Sequence, residues 1–345
     1  MCKERIVLKN LTKSEMSDFL VDIGEKKFRG NQIYSWIYKG VKSFDEMNNI
    51  PKSLREKLET SSIVGNIEID LKLKSKIDNT SKYLFLLNDG NIIETVAMEY
   101  KDRLTVCVSS QVGCRMGCRF CASTIDGLSR NLEAWEILDQ IIKVQEDLGK
   151  RVSNIVMMGS GEPLDNFENT IRFLKLVNEE DGLNIGNRHI TLSTCGLVDN
   201  MIKLADLKIP INIAVSLHSP FDEERKKIMP VANKYSISDV IEACKYFIKQ
   251  TNRRITFEYS LIKGINDSDK EAKRIVELLR GMLCHVNLIP INPIEERNFE
   301  KPDMVYINNF KNYLEKNNIP VTIRNSMGSD ISGACGQLRR KHQNS

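Results

Sequence analysis

Nine cysteines are spread unevenly along this 345-residue chain, and four of them fall within the fifteen residues Cys107 to Cys121. The last three, Cys114, Cys118 and Cys121, make a C-x3-C-x2-C run. Thiolates packed this densely, in a chain whose odd cysteine count argues against a disulfide framework, point to metal or redox chemistry. Three thiolates from one short loop hold three corners of an iron–sulfur cube and leave the fourth iron open to a small ligand. A structural zinc site would need a fourth, closing ligand. Cys107 stands on the far side of an apolar strand pattern, and no second C-x2-C follows, so a [4Fe-4S] cluster is the expected occupant.

Other residues able to do chemistry stand at the ends of apolar runs. Met158-Gly159-Ser160-Gly161-Glu162-Pro163 is one such place. Its glycines let the backbone approach a ligand closely, and Glu162 offers a carboxylate to an ammonium group. Leu164 holds the place of a third glycine, so this is not a dinucleotide fingerprint. Ser193, Ser216, Leu217, His218 and Asn292 end later strand-like runs, where they either touch a ligand or merely finish a strand. Glu94 sits in Ile92-Ile93-Glu94-Thr95-Val96. Burial there would favour its protonated form and suit it to proton transfer, whereas an outward-facing strand glutamate would do nothing. Cys335 lies in the glycine- and serine-rich stretch 328–336, flexible enough to move a thiol in and out of a site, and alone it would read as a spare thiol. Cys2, Cys195, Cys244 and Cys284 lack such company and read as core or surface thiols.

The elements that must position these residues change character twice along the chain. Residues 1–65 read as a small helical accessory domain. Thr12 and Glu15 form a capping box, Ile33, Trp36 and Ile37 have helical spacing, and Pro51 opens a further helix. Residues 66–100 read as a short antiparallel sheet linking two domains, with Asn88-Asp89-Gly90-Asn91 as a turn. Residues 101–345 alternate strand and helix. Strand-length runs lie near 104–108, 154–158, 189–193, 211–217, 255–260, 285–291 and 320–324, with helical stretches between them. That rhythm predicts an α/β fold of parallel strands with right-handed crossovers, and about six units fall short of a closed eightfold barrel. A partial (βα)6 barrel is expected, with ligands at the carboxyl ends of its strands and a helix after the cysteine loop capped by Asn131.

Composition adds bounds. An apolar fraction of 41% supports a sizeable core, and 28% charged residues suit a soluble cytoplasmic protein. No eighteen-residue apolar run is present, and the first residues do not read as a signal peptide, so no membrane is expected. The net charge of +4 leaves the partner open.

C-x3-C-x2-C with Phe120 before the third cysteine resembles the signature of the radical S-adenosylmethionine (SAM) superfamily. The words Cys107-Val108-Ser109-Ser110-Gln111-Val112-Gly113-Cys114, Phe120-Cys121-Ala122-Ser123-Thr124, Gly127-Leu128-Ser129-Arg130-Asn131-Leu132 and Ala334-Cys335-Gly336-Gln337-Leu338-Arg339 narrow it. Together they resemble the bacterial dual-specificity RNA methyltransferases that methylate C2 of adenosine in 23S rRNA and tRNA. The likeness runs over nearly the whole chain. It implies a radical SAM barrel with Cys114, Cys118 and Cys121 on the cluster. Gly161, Glu162, Ser193, Ser216, Leu217, His218 and Asn292 would hold SAM, and the helical domain would help hold RNA through Lys26, Lys27, Arg29, Lys39 and Lys42 beside its aromatics. Without the resemblance those charges read as an ordinary solvated helix face, and the run Arg339-Arg340-Lys341-His342 as a basic tail.

The resemblance also implies a route. Electron-poor C2 does not attack SAM directly, so Cys335 would carry the methyl group, taken from a first SAM. A second SAM, reduced by the cluster, would give a 5′-deoxyadenosyl radical that takes hydrogen from the S-methyl group, and the carbon radical would add to C2. Glu94 would accept a proton. Cys107 would then attack Cys335, freeing the base through a transient disulfide. A flavodoxin or ferredoxin would supply electrons, and the enzyme would act as a monomer. Many relatives have methionine where this chain has Ser160 and an aspartate-rich stretch where it has Ser332-Gly333, small changes beside backbone-defined features. The competing readings are a C8-adenosine methyltransferase conferring antibiotic resistance and a non-catalytic RNA-binding protein with a structural metal.

Overall fold

The computed structural model describes residues 5–292, 294, 297–335 and 337. Cys2, the run Arg339 to His342 and Gly336, Leu338 and Arg339 of the last family word lie outside the described residues.

The chain begins with β1 (Ile6–Val7), α1 (Lys13–Asp22), α2 (Phe28–Tyr38), α3 (Lys52–Ser61) and β2 (Ser62–Ile63), which pairs parallel with β1. Thr12 caps α1 as its sequence implies: the Glu15 amide donates to Thr12 Oγ1 at 3.3 Å, and the Thr12 amide donates to Glu15 at 2.8 Å. Met16, Leu20, Ile33, Ile37, Leu54 and Leu58 bury a core belonging to this module alone. Trp36 stays at its edge, half-buried, with Nε1 donating to Asn49. Several buried or half-buried ties fix the module to the rest. Lys9 Nζ lies 2.5 Å from Asp139 with both side chains fully buried, Arg172 holds Glu15 and the Asn10 carbonyl, and Tyr38 Oη donates to the Leu176 carbonyl.

Next come β3 (Glu68–Lys74), β4 (Thr80–Leu86) and β5 (Ile92–Glu99), paired antiparallel. These strands are not a free-standing linker sheet. β5 is hydrogen-bonded to β6 (Leu104–Cys107), and all four belong to one ten-stranded sheet. The residues explain this. Ile93 to Met98 is buried without interruption, as a central strand must be, whereas β3 is exposed along its length and bears Glu68, Asp70, Lys72 and Lys74, charges that suit an edge.

The catalytic half follows as β7 (Gln111–Gly113), β8 (Leu128–Asn131), α4 (Ala134–Leu148), β9 (Asn154–Met157), α5 (Phe167–Asn178), β10 (Ile190–Thr194), α6 (Val198–Asp206), β11 (Asn212–Ser216), α7 (Asp222–Ile228), α8 (Ile237–Thr251), β12 (Ile255–Leu261), α9 (Asp269–Leu279), β13 (Cys284–Pro290), α10 (Met304–Lys316) and β14 (Val321–Ile323). The sheet runs β14-β13-β12-β11-β10-β9-β6-β5-β4-β3, with every pair from β6 to β14 parallel. Among the described residues no ladder joins β14 to β3, so the barrel is open. Residues 326–335 cross that gap.

Three details depart from the sequence expectation. β7 and β8 pair as a hairpin that closes the cysteine loop at its base. α7 was hidden because its seven residues are mostly charged; its acids fill the first turn and its bases the last, which suits the helix dipole. Asn131 does not cap α4. Glu133 takes the N-cap position, its amide donating to Glu136 at 2.9 Å, while Asn131 Oδ1 accepts from Gln111 Nε2.

Candidate active site

The cysteine loop leaves β6 and is clamped at its root. Gln140 Oε1 accepts from the Ser109 amide and Thr95 Oγ1, and its Nε2 donates to the Ser109 carbonyl. Gln111 Nε2 donates to Asn131 and Asp165, and its Oε1 accepts from the Glu162 amide at 2.8 Å. Asn166 Nδ2 bridges the carbonyls of Ser110 and Leu132. The loop therefore rests on buried amide side chains that leave few backbone groups unpaired. Its far side packs on the end of α7, where Cys118 meets Ile228 and Met229 and the Arg119 amide donates to the Ile228 carbonyl.

Cys114, Cys118 and Cys121 all face one cavity at the carboxyl ends of the strands. Among the described residues no three acidic, imidazole or thiol groups gather tightly enough to hold one metal ion. The donor set suits a [4Fe-4S] cluster, whose corners are spread and soft, and these three thiols would hold three of its irons. Gly161, Glu162, Ser193, Ser216, His218 and Asn292 line the same cavity. Leu217 does not. It is 1% exposed in the core, its amide donating to the Glu258 carbonyl and its carbonyl accepting from Arg225.

The 159–162 turn is set by backbone geometry. Gly161 has φ +108°, and a Cβ there would meet Gln111 Cβ at 2.6 Å. Ser160 contributes its main chain: its carbonyl accepts from Ser110 and Gln111, and its amide donates to Ser109 Oγ. Glu162 is fully enclosed, with Oε1 accepting from Leu164 and Oε2 from Cys195 amides. Burial pushes its carboxyl up, opposed by those hydrogen bonds.

His218 occupies the left-handed region at φ +52° and accepts the Ser260 amide on Nδ1, which leaves its proton on Nε2. Burial, with Arg225 nearby, pushes the imidazole down to about 3, so the ring is neutral and stacks edge-on against Phe120 at 4.6 Å. Arg225 is fully buried and ties the strand ends together, donating to the carbonyls of Leu217, Cys195 and Ser216.

A second cavity adjoins the first, and Cys335 lines both. The second also holds Cys107, Val96, Met98 and Met327. Burial pushes the Cys107 thiol up to about 12, with Cys335 adding to the shift. Each of the eight described cysteines is a free thiol. The Cys335 loop is held on one side by Asn292, whose Nδ2 donates to the Cys335 carbonyl at 3.1 Å. On the other side Asp330 accepts from Ser75 Oγ and the Lys76 amide, and Asp78 accepts the Gly328 amide. Glu94 is buried on the same face of β5 as Val96 and Met98 but lines neither cavity. It is no isolated carboxyl: Lys82 Nζ stands 2.6 Å from its Oε1.

The sequence reading missed Glu258, Ser260 and Arg324, which line the first cavity together with Met158 of the glycine turn. Glu258 is 4% exposed, accepts from Asn287 Nδ2, and faces Arg324 at 4.0 Å; burial pushes its carboxyl up. Arg324 reaches Met158 Sδ at 3.4 Å and is raised by Cys335 first and Glu258 next. Charged residues within or just after apolar strand runs were the available signal.

Comparisons with known proteins bear on this arrangement. Residues 6–64 match the ribosomal RNA large subunit methyltransferase N-terminal domain, and residues 108–276 match the radical SAM superfamily. A probable dual-specificity RNA methyltransferase RlmN of Clostridioides difficile (strain 630) is 71% identical over 343 residues, spanning 99% of this chain and 100% of that one. Its namesake in Alkaliphilus oremlandii (strain OhILAs) is 60% identical over 98% of this chain and 99% of its own. The crystal structure of a radical SAM methyltransferase from Sphaerobacter thermophilus matches with a TM-score of 0.93 and 44% identity, over 97% of this chain and 99% of that one. Likeness this high, end to end, settles the family: the chain belongs to the RlmN dual-specificity RNA methyltransferases, a branch of the radical SAM enzymes.

Proposed function

We propose that this protein methylates C2 of adenosine in 23S rRNA, at the peptidyl transferase centre, and in tRNA, 3′ of the anticodon. One observation carries the reading: the Cys335 thiol is shared by two cavities, one with the three cluster cysteines and the other with Cys107. A carrier thiol needs both neighbours, the first to be loaded and the second to be released.

Cys114, Cys118 and Cys121 would hold the cluster, and Gly161, Glu162, Ser193, Ser216, His218 and Asn292 would hold SAM beside it. Bound there, the pair supplies the methyl group, an electron and a hydrogen-abstracting radical. Cys335 takes the methyl group as nucleophile and presents its carbon to C2 of the base. Glu94 accepts the proton that C2 loses. The Cys107 thiolate then attacks the Cys335 sulfur, an S–S bond forms, and the carbon–sulfur pair leaves with the base and takes up a proton as the methyl group completes. On this reading the N-terminal module grips RNA. Cation–aromatic pairs at the module's surface edge support that role, Arg29 lying 5.0 Å from the Phe28 ring and Lys39 4.8 Å from the half-buried Trp36. A small reduced protein such as a flavodoxin or ferredoxin donates electrons to a cytoplasmic monomer.

The test is nucleoside mass spectrometry of RNA treated with anaerobically reconstituted enzyme, SAM and a reductant. 2-Methyladenosine is expected. 8-Methyladenosine would move the protein to the resistance branch, and no methylated adenosine with an intact cluster would favour a binding role. Cys107→Ala should stall with RNA joined to Cys335; normal release would remove Cys107 from the route.

A further inference from the structure

We propose that Lys82 is a positioning residue of the methyl transfer, whose ammonium group ties the Glu94 carboxylate to the loop that carries Cys335. The inference rests on the roles given above to Glu94 and Cys335. In the β4–β5 ladder Lys82 stands opposite Val96 and Leu84 opposite Glu94, so Lys82 and Glu94 are diagonal neighbours across two strands. Lys82 is 7% exposed and Glu94 4%. Lys82 Nζ lies 2.6 Å from Glu94 Oε1 and donates at 3.2 Å to the carbonyl of Ser332.

An ammonium group has three donors and serves two acceptors at once, and a desolvated cation–carboxylate contact is among the strongest and best oriented of hydrogen bonds. A lysine kept only for sheet stability needs its carboxylate and nothing more. Here the second acceptor is main chain three residues before Cys335, on a segment whose remaining anchors are Asn292 and the turn at Ser75 and Asp78. One buried cation thus sets where the proton acceptor points and where the carrier loop rests. The step it serves is a proton transfer: once the S-methylene carbon has bonded to C2, the C2 proton passes to Glu94, the C–H electron pair stays with the purine, and the one unpaired electron of the adduct would return to the oxidised iron–sulfur cluster that supplied it.

Lys82→Met and Lys82→Arg are compared in cluster-loaded enzyme with RNA and with RNA deuterated at C2 of the target adenosine. In Lys82→Met, free methylated adenosine falls at least tenfold, RNA joined covalently to Cys335 accumulates, and turnover slows further with deuterium. S-methylation of Cys335 without RNA persists, and Lys82→Arg regains most turnover. Wild-type turnover in Lys82→Met, or loss of Cys335 methylation with no RNA adduct, would overturn the proposal. Should Lys82→Met not fold, Lys82→Met/Glu94→Gln buries no lone charge. Its stall matching that of Glu94→Gln supports Lys82 acting through Glu94, and a deeper loss overturns it. Normal turnover in Glu94→Gln would instead remove the role of Glu94 itself, whatever Lys82 does.

Discussion

Lys9→Met tests how the N-terminal module is fixed to the barrel. Lys9 Nζ and Asp139 Oδ1 are 2.5 Å apart with both side chains 0% exposed, and Asp139 Oδ2 also accepts the Ile67 amide. Burial already pushes the Lys9 ammonium down, with Asp139 opposing, so the pair sits where water cannot replace either partner. Removing the cation strands a buried carboxylate with one neutral donor, which costs about 3–5 kcal/mol. An unfolding entropy of ~2.1 cal/mol/K per residue gives about 0.7 kcal/mol/K here, hence a fall in Tm of about 4–7 °C. The assay is thermal melting of anaerobic, cluster-loaded protein followed by far-UV circular dichroism. Lys9→Met/Asp139→Asn removes the stranded charge while keeping an acceptor for Ile67, and it should regain most of the loss. RNA affinity should fall with the module's anchoring, while S-methylation of Cys335 without RNA stays at the wild-type level. A Tm change under about 1 °C would refute the reasoning, because a pair this enclosed cannot be lost silently.

Three further outcomes follow from the site. Gly161→Ala forces a side chain into φ +108° and against Gln111, a strain of about 1–3 kcal/mol before the overlap is relieved, so SAM affinity should drop at least tenfold by equilibrium binding. Arg225→Met takes the guanidinium donor from the carbonyls of Cys195, Ser216 and Leu217, of which Leu217 keeps the Ser219 amide, and should cost about 2–3 kcal/mol in urea unfolding, with Arg225→Lys intermediate. His218 is held at about 3 when folded, below its ordinary 6.5, so the unfolded chain takes the proton first as pH falls. Its contribution to stability is complete above pH 6.5 and is lost progressively from there toward about 3. Urea midpoints between pH 7.5 and 5 should therefore fall more steeply in the wild type than in His218→Gln, and parallel lines would count against the assignment.

The barrel was legible because its strands and helices carry their own signals: apolar runs such as Ile213-Ala214-Val215 between amphipathic helices leave little choice of fold. The cluster cysteines and the glycine turn were legible because their spacing is chemistry in itself. What was hidden was long-range. Nothing local says that Ile92–Glu99 pairs with Leu104–Cys107 to extend the barrel sheet, since a two-sided apolar strand fits a linker sheet equally well. Leu217 fell beside two true cavity residues but points into the core, because side chains alternate along an extended segment. Glu258 went unnoticed for the converse reason, its neighbours Phe257 and Tyr259 being core residues, and Arg324 because it follows a three-residue strand; only tertiary packing turns them toward the cavity. Lys82 likewise reads as an ordinary strand lysine until Ser332, 250 positions away, is brought beside it.

The antiparallel strands have a reason to be part of the barrel rather than a spacer beside it. On the function proposed above, a methyl carrier must reach two cavities, so its loop has to be held loosely, whereas a proton acceptor must keep one orientation. The loop's outer anchors are of the loose kind. Asp330 is exposed and bonds Ser75 and the Lys76 amide at the rim, contacts that water replaces at little cost. The Lys82–Glu94 pair is of the firm kind, buried inside the sheet. Lifting the loop takes from Lys82 one neutral carbonyl and leaves its carboxylate in place. Extending the parallel sheet by three strands thus sets the buried Lys82–Glu94 pair beside the Cys335 loop, at the open side of the barrel.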